Sequence, residues 1–278
     1  MRNLLSAGFA RLWRCKVFWL SCIVMAGISA ISMRTRYMDG LEFGAFESID
    51  SGFFNFVVMV IFLSALVCTL LLGTEYGEGT MRSKLICGHR RRDVYLANLV
   101  VCSAGSLIMC SAAVGAGLAV GLPLLGSFEM GSVQAAVTIA GTFALALASV
   151  SLFTLLAMLV DDRTRSAVAG LLLALLLLLA GSYINNRLEE PPTEADFVIV
   201  NGQVMLANER PNPRYLPEGP VRQVCQFLFD FLPGGQTVQY ANPDTANRQP
   251  LLLMTYDAVL FVLSTAAGLF LFKRKDLK

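Results

Sequence analysis

Six long apolar runs, separated by segments that carry most of the charges, limit what this chain can fold into. Of the 278 residues, 55% are hydrophobic and only 15% are charged, whereas soluble domains contain roughly a quarter charged residues. An α-helix needs about 17 to 25 apolar residues to cross the hydrocarbon of a bilayer. The sequence therefore predicts an all-α polytopic membrane protein. The predicted transmembrane helices are six, at approximately residues 17–33, 53–72, 94–122, 133–160, 166–184 and 251–272.

Residues 1–16 predict an amphipathic helix in the membrane interface, because apolar and cationic side chains fall on opposite faces. The apolar face holds Leu5, Phe9, Leu12 and Trp13, and the face toward the lipid headgroups holds Arg11 and Arg14. A disordered basic leader is the alternative. A basic start before an apolar run is also typical of a secretory signal peptide. The weak cleavage site at residues 29–30 and the later apolar runs favour an uncleaved first helix.

Lysine and arginine counts predict which segments face the cytoplasm. The N-terminal segment holds four, the 73–93 loop five, the 161–165 loop two and the C-terminal tail four, whereas the alternate segments hold two, none and five. The last five are spread over the long region 185–250. We therefore expect both termini and the 73–93 loop to be cytoplasmic, and region 185–250 to be external.

The external region has its own structural signals. It contains nine of the ten prolines, and apolar residues on both sides of Asn201-Gly202 predict a small β-hairpin. Residues 221–232 predict an apolar helix that rests on the membrane or dips into it, stopped by residues 233–235. The chain is thus divided into residues 1–184, the insertion 185–250, and residues 251–278 with the last transmembrane helix and a basic tail.

No catalytic or cofactor-binding motif is found along the chain. A phosphate-binding loop of the GxxxxGK[ST] type is absent, as are the HExxH and GxSxG motifs. The seven cysteines and the single His89 lack metal-ligand spacing. We therefore predict a protein that is not an enzyme, holds no cofactor or metal, binds no nucleic acid, and receives any energy from another chain.

The polar loop between the second and third apolar runs predicts a short amphipathic helix at residues 80–86. Its apolar side chains are Met81, Leu85 and Ile86, which share one side, and its cationic ones are Arg82 and Lys84, which point elsewhere. Two interpretations stay open. The loop could set topology and bind anionic lipid headgroups, or the short helix could be a rigid lever on which a soluble motor acts.

A resemblance bears on that choice. Residues 75–99 are similar to the loop between the second and third transmembrane helices of type-two ATP-binding-cassette (ABC) exporter permeases, which occur in bacterial drug, antibiotic and peptide efflux systems. The matching residues are Glu75-Tyr76-x-x-Gly79-Thr80-x-Arg82-x-Lys84-Leu85-x-x-Gly88-x-x-Arg91 and Tyr95-Leu96-x-x-Leu99. Residues 229–236 resemble the external segment before the last helix of the same family, and the whole layout is similar.

The resemblance implies a permease in the bacterial plasma membrane that works with a second copy or a related permease, among membrane lipids. Two cytoplasmic ATPase subunits would hold ATP and magnesium and supply all of the energy. Residues 79–86 would form the coupling helix that docks in the ATPase. The implied coupling residues are Gly79, Thr80, Met81, Arg82, Lys84, Leu85 and Ile86. The implied substrate is amphipathic: an antimicrobial peptide, a drug or a lipid.

Four further side chains are candidates for functional roles. Glu75 and Tyr76 follow the second apolar run, where we expect them to anchor the loop. Glu78 is equally compatible with an anchoring role and with that of a solvated charge. Asp257 lies about 10 Å from the outer end of the last helix at about 1.5 Å per residue. A carboxylate at that depth faces protein or water rather than lipid. It would line the substrate path, pair with an external arginine such as Arg248, or extend outward to the interface.

A function of a different class is compatible with the same sequence. The chain would then be a non-transporting sensor or immunity protein that captures a peptide with region 185–250. The hairpin and the apolar helix of that region suit ligand capture.

Overall fold

The computed structural model describes residues 1–44, 48–200, 203–242 and 249–275, which are mostly α-helical. The helices are α1 (Arg2–Arg14), α2 (Lys16–Phe43), α3 (Asp50–Phe53), α4 (Val57–Gly77), α5 (Thr80–Ile86), α6 (Arg91–Leu125), α7 (Ser132–Leu159), α8 (Arg163–Glu189), α9 (Pro220–Phe231), α10 (Pro233–Ala241) and α11 (Pro250–Arg274). A 3₁₀ turn at Phe54–Phe56 connects α3 to α4, and the strands β1 (Thr193–Val200) and β2 (Gln203–Pro211) lie between α8 and α9.

The described residues contain six helical segments that are long and apolar enough to cross a membrane, which confirms the predicted all-α polytopic fold. These segments are α2, α3–α4, α6, α7, α8 and α11. Burial differs widely among them. In the most apolar stretch of each segment, 67% of the residues are buried in α3–α4 but only 17% in α8. The α3–α4 segment is therefore the centre of the bundle, and α8 presents its leucine-rich surface outward.

Several helices extend beyond the predicted apolar runs. Helix α2 continues to Phe43 through polar residues that were predicted to form a loop, and it ends where Gly44 adopts a left-handed conformation with φ of +69°. Helix α6 includes Pro123, where the sequence predicted its end, and stops at Leu125. A helix ends at a residue that breaks its backbone conformation, not simply where the apolar run ends. After both α2 and α6, a glycine with positive φ ends the helix.

Two glycines bring α2, α3 and α6 into close contact. A Cβ on Gly117 would lie 2.9 Å from the ring of Phe53, and one on Gly121 would lie 2.6 Å from Ile49 Cδ1. Small residues spaced four apart allow such packing between membrane helices. Both glycines therefore lie inside the chain's own bundle.

The region between α8 and α11 contains one helix that the sequence missed. Helix α9 matches the apolar segment expected at 221–232, but α10 begins at Pro233, where the sequence predicted only a stop. Proline fits the first position of a helix because its missing N–H would have no partner there. A Cβ on Gly234 would overlap the carbonyl oxygen of Leu177, so the backbone of α10 lies directly against α8.

The two strands form an antiparallel pair in which Val200 lies opposite Gln203. This register leaves a connection of two residues. The residues that predicted the turn, Asn201 and Gly202, lie outside the described residues.

The buried face of helix α1 overlaps the expected apolar face in part, since Leu12 is buried and Leu5 and Phe9 pack partly buried against the core. Its buried residues are Leu4, Gly8 and Leu12, whereas Trp13 is 49% exposed. Gly8 lies so close to α6 that a Cβ would be 2.7 Å from Val101 Cγ2. The amphipathic pattern therefore predicted the helix and part of its buried face, and contact with α6 selects the rest of that face.

Candidate coupling site

Glu75, in the last turn of α4, connects four helices at one end of the bundle. Its side chain is only 3% exposed, and its Oε1 lies 2.5 Å from Arg11 Nη1 and 2.6 Å from Lys84 Nζ. Its Oε2 accepts a hydrogen bond of 3.2 Å from Asn98 Nδ2. These partners lie on α1, α5 and α6. One buried carboxylate therefore ties the short helix α5 to three longer helices.

A second set of contacts fixes the start of α5. The Oγ1 of Thr80 donates to the carbonyl oxygen of Glu75 at 3.1 Å and accepts from Arg11 Nη2 at 2.9 Å. Gly79 has a φ of +67°, which lets the chain reverse between α4 and α5 without the strain that a side chain would add. Arg11 also lies 3.3 Å from Glu78, but that carboxylate is 65% exposed, so this pair contributes little.

The inner face of α5 holds three of the predicted coupling residues. Met81 is buried, Leu85 packs partly buried against the core, and Lys84 turns inward to Glu75. The inward position of Lys84 corrects the expectation that it points away from the apolar side. A long cationic side chain can reach a buried carboxylate while its methylenes cover apolar surface.

The outer face of α5 is exposed. Ile86, which was expected on the buried side with Met81, is 85% exposed, and Arg82 is exposed beside it. Residues four apart on a helix share a face. Arg82 and Ile86 therefore form a small cationic and apolar surface, which we call the outer α5 face, and the exposed Cys87 follows it.

A second group of contacts, which we call the C-terminal clamp, holds the end of α11 at the same end of the bundle. Tyr76 OH donates to the carbonyl oxygen of Met158 at 2.7 Å, and Lys275 Nζ donates to the same oxygen at 2.9 Å. Lys275 also pairs with Asp161 and lies 4.5 Å from the centre of the Tyr76 ring. Arg91 donates to the last carbonyl groups of α11. Tyr76 thus links the end of α4 to the end of α7 and to Lys275.

Asp257 lies apart from these contacts, toward the other end of α11. It is 2% exposed, and neither carboxylate oxygen has a hydrogen-bond partner among the described residues. The side chain therefore faces protein rather than lipid, in agreement with the argument from depth. Arg248, which the sequence suggested as a partner, lies outside the described residues.

Sequence reasoning found the carboxylate of this site but missed its partners. Arg11 was expected to face lipid headgroups, and Asn98 and Asp161 were not singled out. The indication that the sequence offered was Glu75 itself, because a carboxylate at the end of an apolar run needs hydrogen-bond donors from other parts of the chain. One of the cations that supply them, Arg11, lies 64 residues earlier in the chain, and spacing alone cannot identify it.

The described residues thus form a bundle of six helices that are long and apolar enough to span a membrane, with the short helix α5 at one end. The family model described as ABC-2 family transporter protein matches residues 16–277. The chain belongs to this family, and it is a multi-pass membrane permease subunit of an ABC exporter. No match was found among curated proteins.

Proposed function

We propose that this permease moves an amphipathic substrate outward across a bacterial plasma membrane, driven by a separate cassette ATPase that binds ATP and magnesium. Helix α5 is the coupling helix, and the end of the bundle that carries it faces the cytoplasm. The distribution of lysine and arginine supports this orientation. The permease works with a second copy or a related permease, and the outward-facing leucines of α8 are available for that contact or for lipid.

The observation that carries this proposal is the attachment of α5 through Glu75. A coupling element has to move as one body with the helices that open the path, because a hinge between them would absorb the displacement. The contacts of Glu75 with Arg11, Lys84 and Asn98 join α5 to α1, α4 and α6. ATP-driven closure of the ATPase pair would then displace these helices together, as a rigid-body switch between two states.

The outer α5 face supports docking rather than lipid binding alone. Ile86 is a large apolar side chain left 85% exposed outside the spanning helices. Arg82 next to it adds a cation, and a buried apolar anchor beside a charge is typical of the centre of a protein interface. A loop that only attracted anionic headgroups would need its arginines and not this isoleucine.

The nature of the spanning helices supports an amphipathic substrate. Their exposed large side chains are mostly aliphatic, and the polar side chains buried among the spanning helices are mostly single serine and threonine hydroxyls. An antimicrobial peptide, a drug or a lipid fits such helices better than a sugar or an ion does.

Replacing Ile86 with aspartate tests the assignment of α5. The permease is co-expressed with a candidate cassette ATPase, and the two are purified through a tag on the permease. Because Ile86 makes little contact within the chain, Ile86→Asp is expected to fold normally, to lose at least about tenfold of the bound ATPase, and to abolish ATP-driven export.

Val133→Asp is the matched control, since Val133 is an aliphatic residue at a helix end that is 78% exposed at the opposite end of the bundle. We expect it to retain the ATPase in full. Equal ATPase recovery with Ile86→Asp and the unchanged protein would contradict the role of α5.

A further inference from the structure

The junction of α1 and α2, which we call the α1–α2 corner (residues 13–19), holds both tryptophans of the chain, Trp13 and Trp19. Their ring centroids lie 5.4 Å apart, and Trp19 Nε1 donates a hydrogen bond of 2.9 Å to the carbonyl oxygen of Trp13. The fully buried Phe18 contacts both indoles edge-on, at centroid distances of 6.1 and 5.5 Å. The fold therefore fixes the positions of the two indoles.

These ordered rings are not covered by the rest of the chain. Trp13 is 49% exposed and Trp19 is 46% exposed. Large apolar side chains that a fold orders but leaves exposed together mark an interaction surface. Tryptophan is also enriched at the boundary between water and bilayer, because its ring is apolar and its N–H is polar.

Two cations in the same corner have no counter-charge. Arg14 and Lys16 are exposed, and neither makes an ion pair or a side-chain hydrogen bond among the described residues. No aspartate or glutamate precedes Asp39 in the sequence. Arg11, about one turn earlier, is in contrast paired with Glu75. The corner thus presents two positive charges that the described chain does not neutralise.

The corner also marks the start of the first membrane-spanning helix. Lys16 is the first residue of α2. The large exposed side chains that follow Trp19 on α2 are aliphatic, at Leu20, Ile23 and Val24. The exposed surface therefore changes from cationic, through aromatic, to aliphatic as α2 enters the span.

Contact with α6 distinguishes this corner from the arginines that begin α6. A Cβ on Gly105 would lie 3.8 Å from Phe18 Cε2, so the corner is level with Gly105. Gly105 lies 13 residues after Arg92 in the sequence, which is about 20 Å along the helix axis. Arg90 and Arg92 are therefore well removed from the level at which α2 enters the membrane.

This order of chemical groups matches an anionic phospholipid. The phosphate of a headgroup neutralises cations, and the acyl chains cover aliphatic surface. A soluble anion would leave the indoles and the aliphatic side chains uncovered. An acidic soluble protein could reach Arg14 and Lys16, but it could not cover Leu20 and Ile23 within the spanning part of α2.

We propose that the α1–α2 corner binds an anionic phospholipid, with its phosphate at Arg14 and Lys16 and an acyl chain along Leu20 and Ile23. The indoles of the corner lie between these two parts of the lipid. The bound lipid holds the end of α1, the helix whose Arg11 pairs with Glu75. The site goes beyond the proposed transport function and does not depend on it, because it needs neither an ATPase nor a transported substrate.

Tryptophan fluorescence reports on this site alone, because Trp13 and Trp19 are the only two tryptophans. The full-length permease is reconstituted into phosphatidylcholine vesicles that contain increasing fractions of either brominated phosphatidylglycerol or brominated phosphatidylcholine. Bromine on an acyl chain quenches an indole only at close range. Each cation near an anionic headgroup strengthens binding about fivefold, so two cations should give phosphatidylglycerol at least about a tenfold higher relative association constant.

Arg14→Gln combined with Lys16→Gln removes both charges and should abolish this selectivity. Arg90→Gln combined with Arg92→Gln is the matched control, because these two arginines are also exposed but lie away from the corner. We expect the control to keep the full selectivity. Equal quenching by the two lipids in the unchanged protein, or equal loss of selectivity in both double variants, would overturn the proposal. Weak quenching by both lipids would also overturn it, because another part of a protein would then cover the corner.

Hydrogen exchange tests whether the lipid holds α1. In phosphatidylglycerol nanodiscs, the amides of residues 4–12 should exchange at least about fivefold more slowly than in phosphatidylcholine nanodiscs, and the Arg14→Gln, Lys16→Gln variant should lose this difference. Equal exchange in the two lipids would contradict the effect on α1. Ile86→Asp is expected to keep the lipid selectivity while losing the ATPase, so failure of the lipid site and failure of the coupling role appear in different measurements.

Discussion

Replacing Glu75 with glutamine should release α5 from the bundle. Glutamine has the same shape but no charge, so Arg11 and Lys84 would lose the carboxylate that lies 2.5 and 2.6 Å from their nitrogens. Their side chains are only 28% and 15% exposed. Breaking a buried ion pair by removing one partner costs about 3–5 kcal/mol. Because both cations keep some contact with water, we expect the lower value of about 3 kcal/mol.

This magnitude can be measured by hydrogen exchange. A loss of about 3 kcal/mol raises the population of an opened α5 roughly a hundredfold, at about 1.4 kcal/mol for each factor of ten. Mass spectrometry on the permease in nanodiscs should therefore show exchange up to a hundredfold faster for the amides of α5 in Glu75→Gln, with that of the α7 amides unchanged. ATP-driven export should fall in parallel.

Glu78→Gln is the matched control, since this carboxylate also faces Arg11 but is 65% exposed. Exposed pairs contribute about 0–1 kcal/mol, so its exchange should change by less than about fivefold. The reasoning is refuted if Glu75→Gln changes α5 exchange by no more than Glu78→Gln does.

Three other predictions address the remaining parts of the structure. Lys275→Met removes one of the two cations of the C-terminal clamp and should increase hydrogen exchange in the last turn of α11 and reduce export. Gly181→Ala should lower the thermal midpoint by about 4 °C or more, because its Cβ would overlap the backbone of Gly234, whereas Gly27→Ala, which meets no atom within 4 Å, should not. Deletion of residues 193–211 should leave ATPase recovery and export intact. Loss of peptide binding with unchanged export of other substrates would instead support peptide capture by this region.

The membrane-spanning helices could be predicted from the sequence because apolar length is a local property. Their burial could not, since α4 and α8 are both apolar all round but one lies at the centre and the other at the surface. An apolar side chain indicates only that the residue lies out of water. Whether protein or lipid covers that residue depends on the neighbouring helices. The stop of α2 at Gly44 was missed because the apolar run ends before the helix does.

The site was predictable only in part, for a similar reason. Thr80–Ile86 was predicted as a helix from its own pattern, and the structure contains it. The inward turn of Lys84 and the exposure of Ile86 depend on Glu75 and Arg11, which belong to other helices. Contacts between residues far apart in sequence produce no regular spacing, so a single sequence does not indicate which residues are paired. Helix α10 was missed because a proline such as Pro233 is compatible both with the end of one helix and with the first residue of the next.

Photo-crosslinking from Cys87 tests the coupling role of α5 most directly. Cys87 follows α5 and is exposed, whereas the other cysteines are buried or partly buried. The purified permease–ATPase complex is labelled at Cys87 with a maleimide-benzophenone reagent and irradiated, with Cys87→Ser as the control. The proposal predicts that the cassette ATPase is the main crosslinked partner and that the control loses this product. Crosslinks to lipid or to the permease alone, in a complex that contains the ATPase, would contradict it.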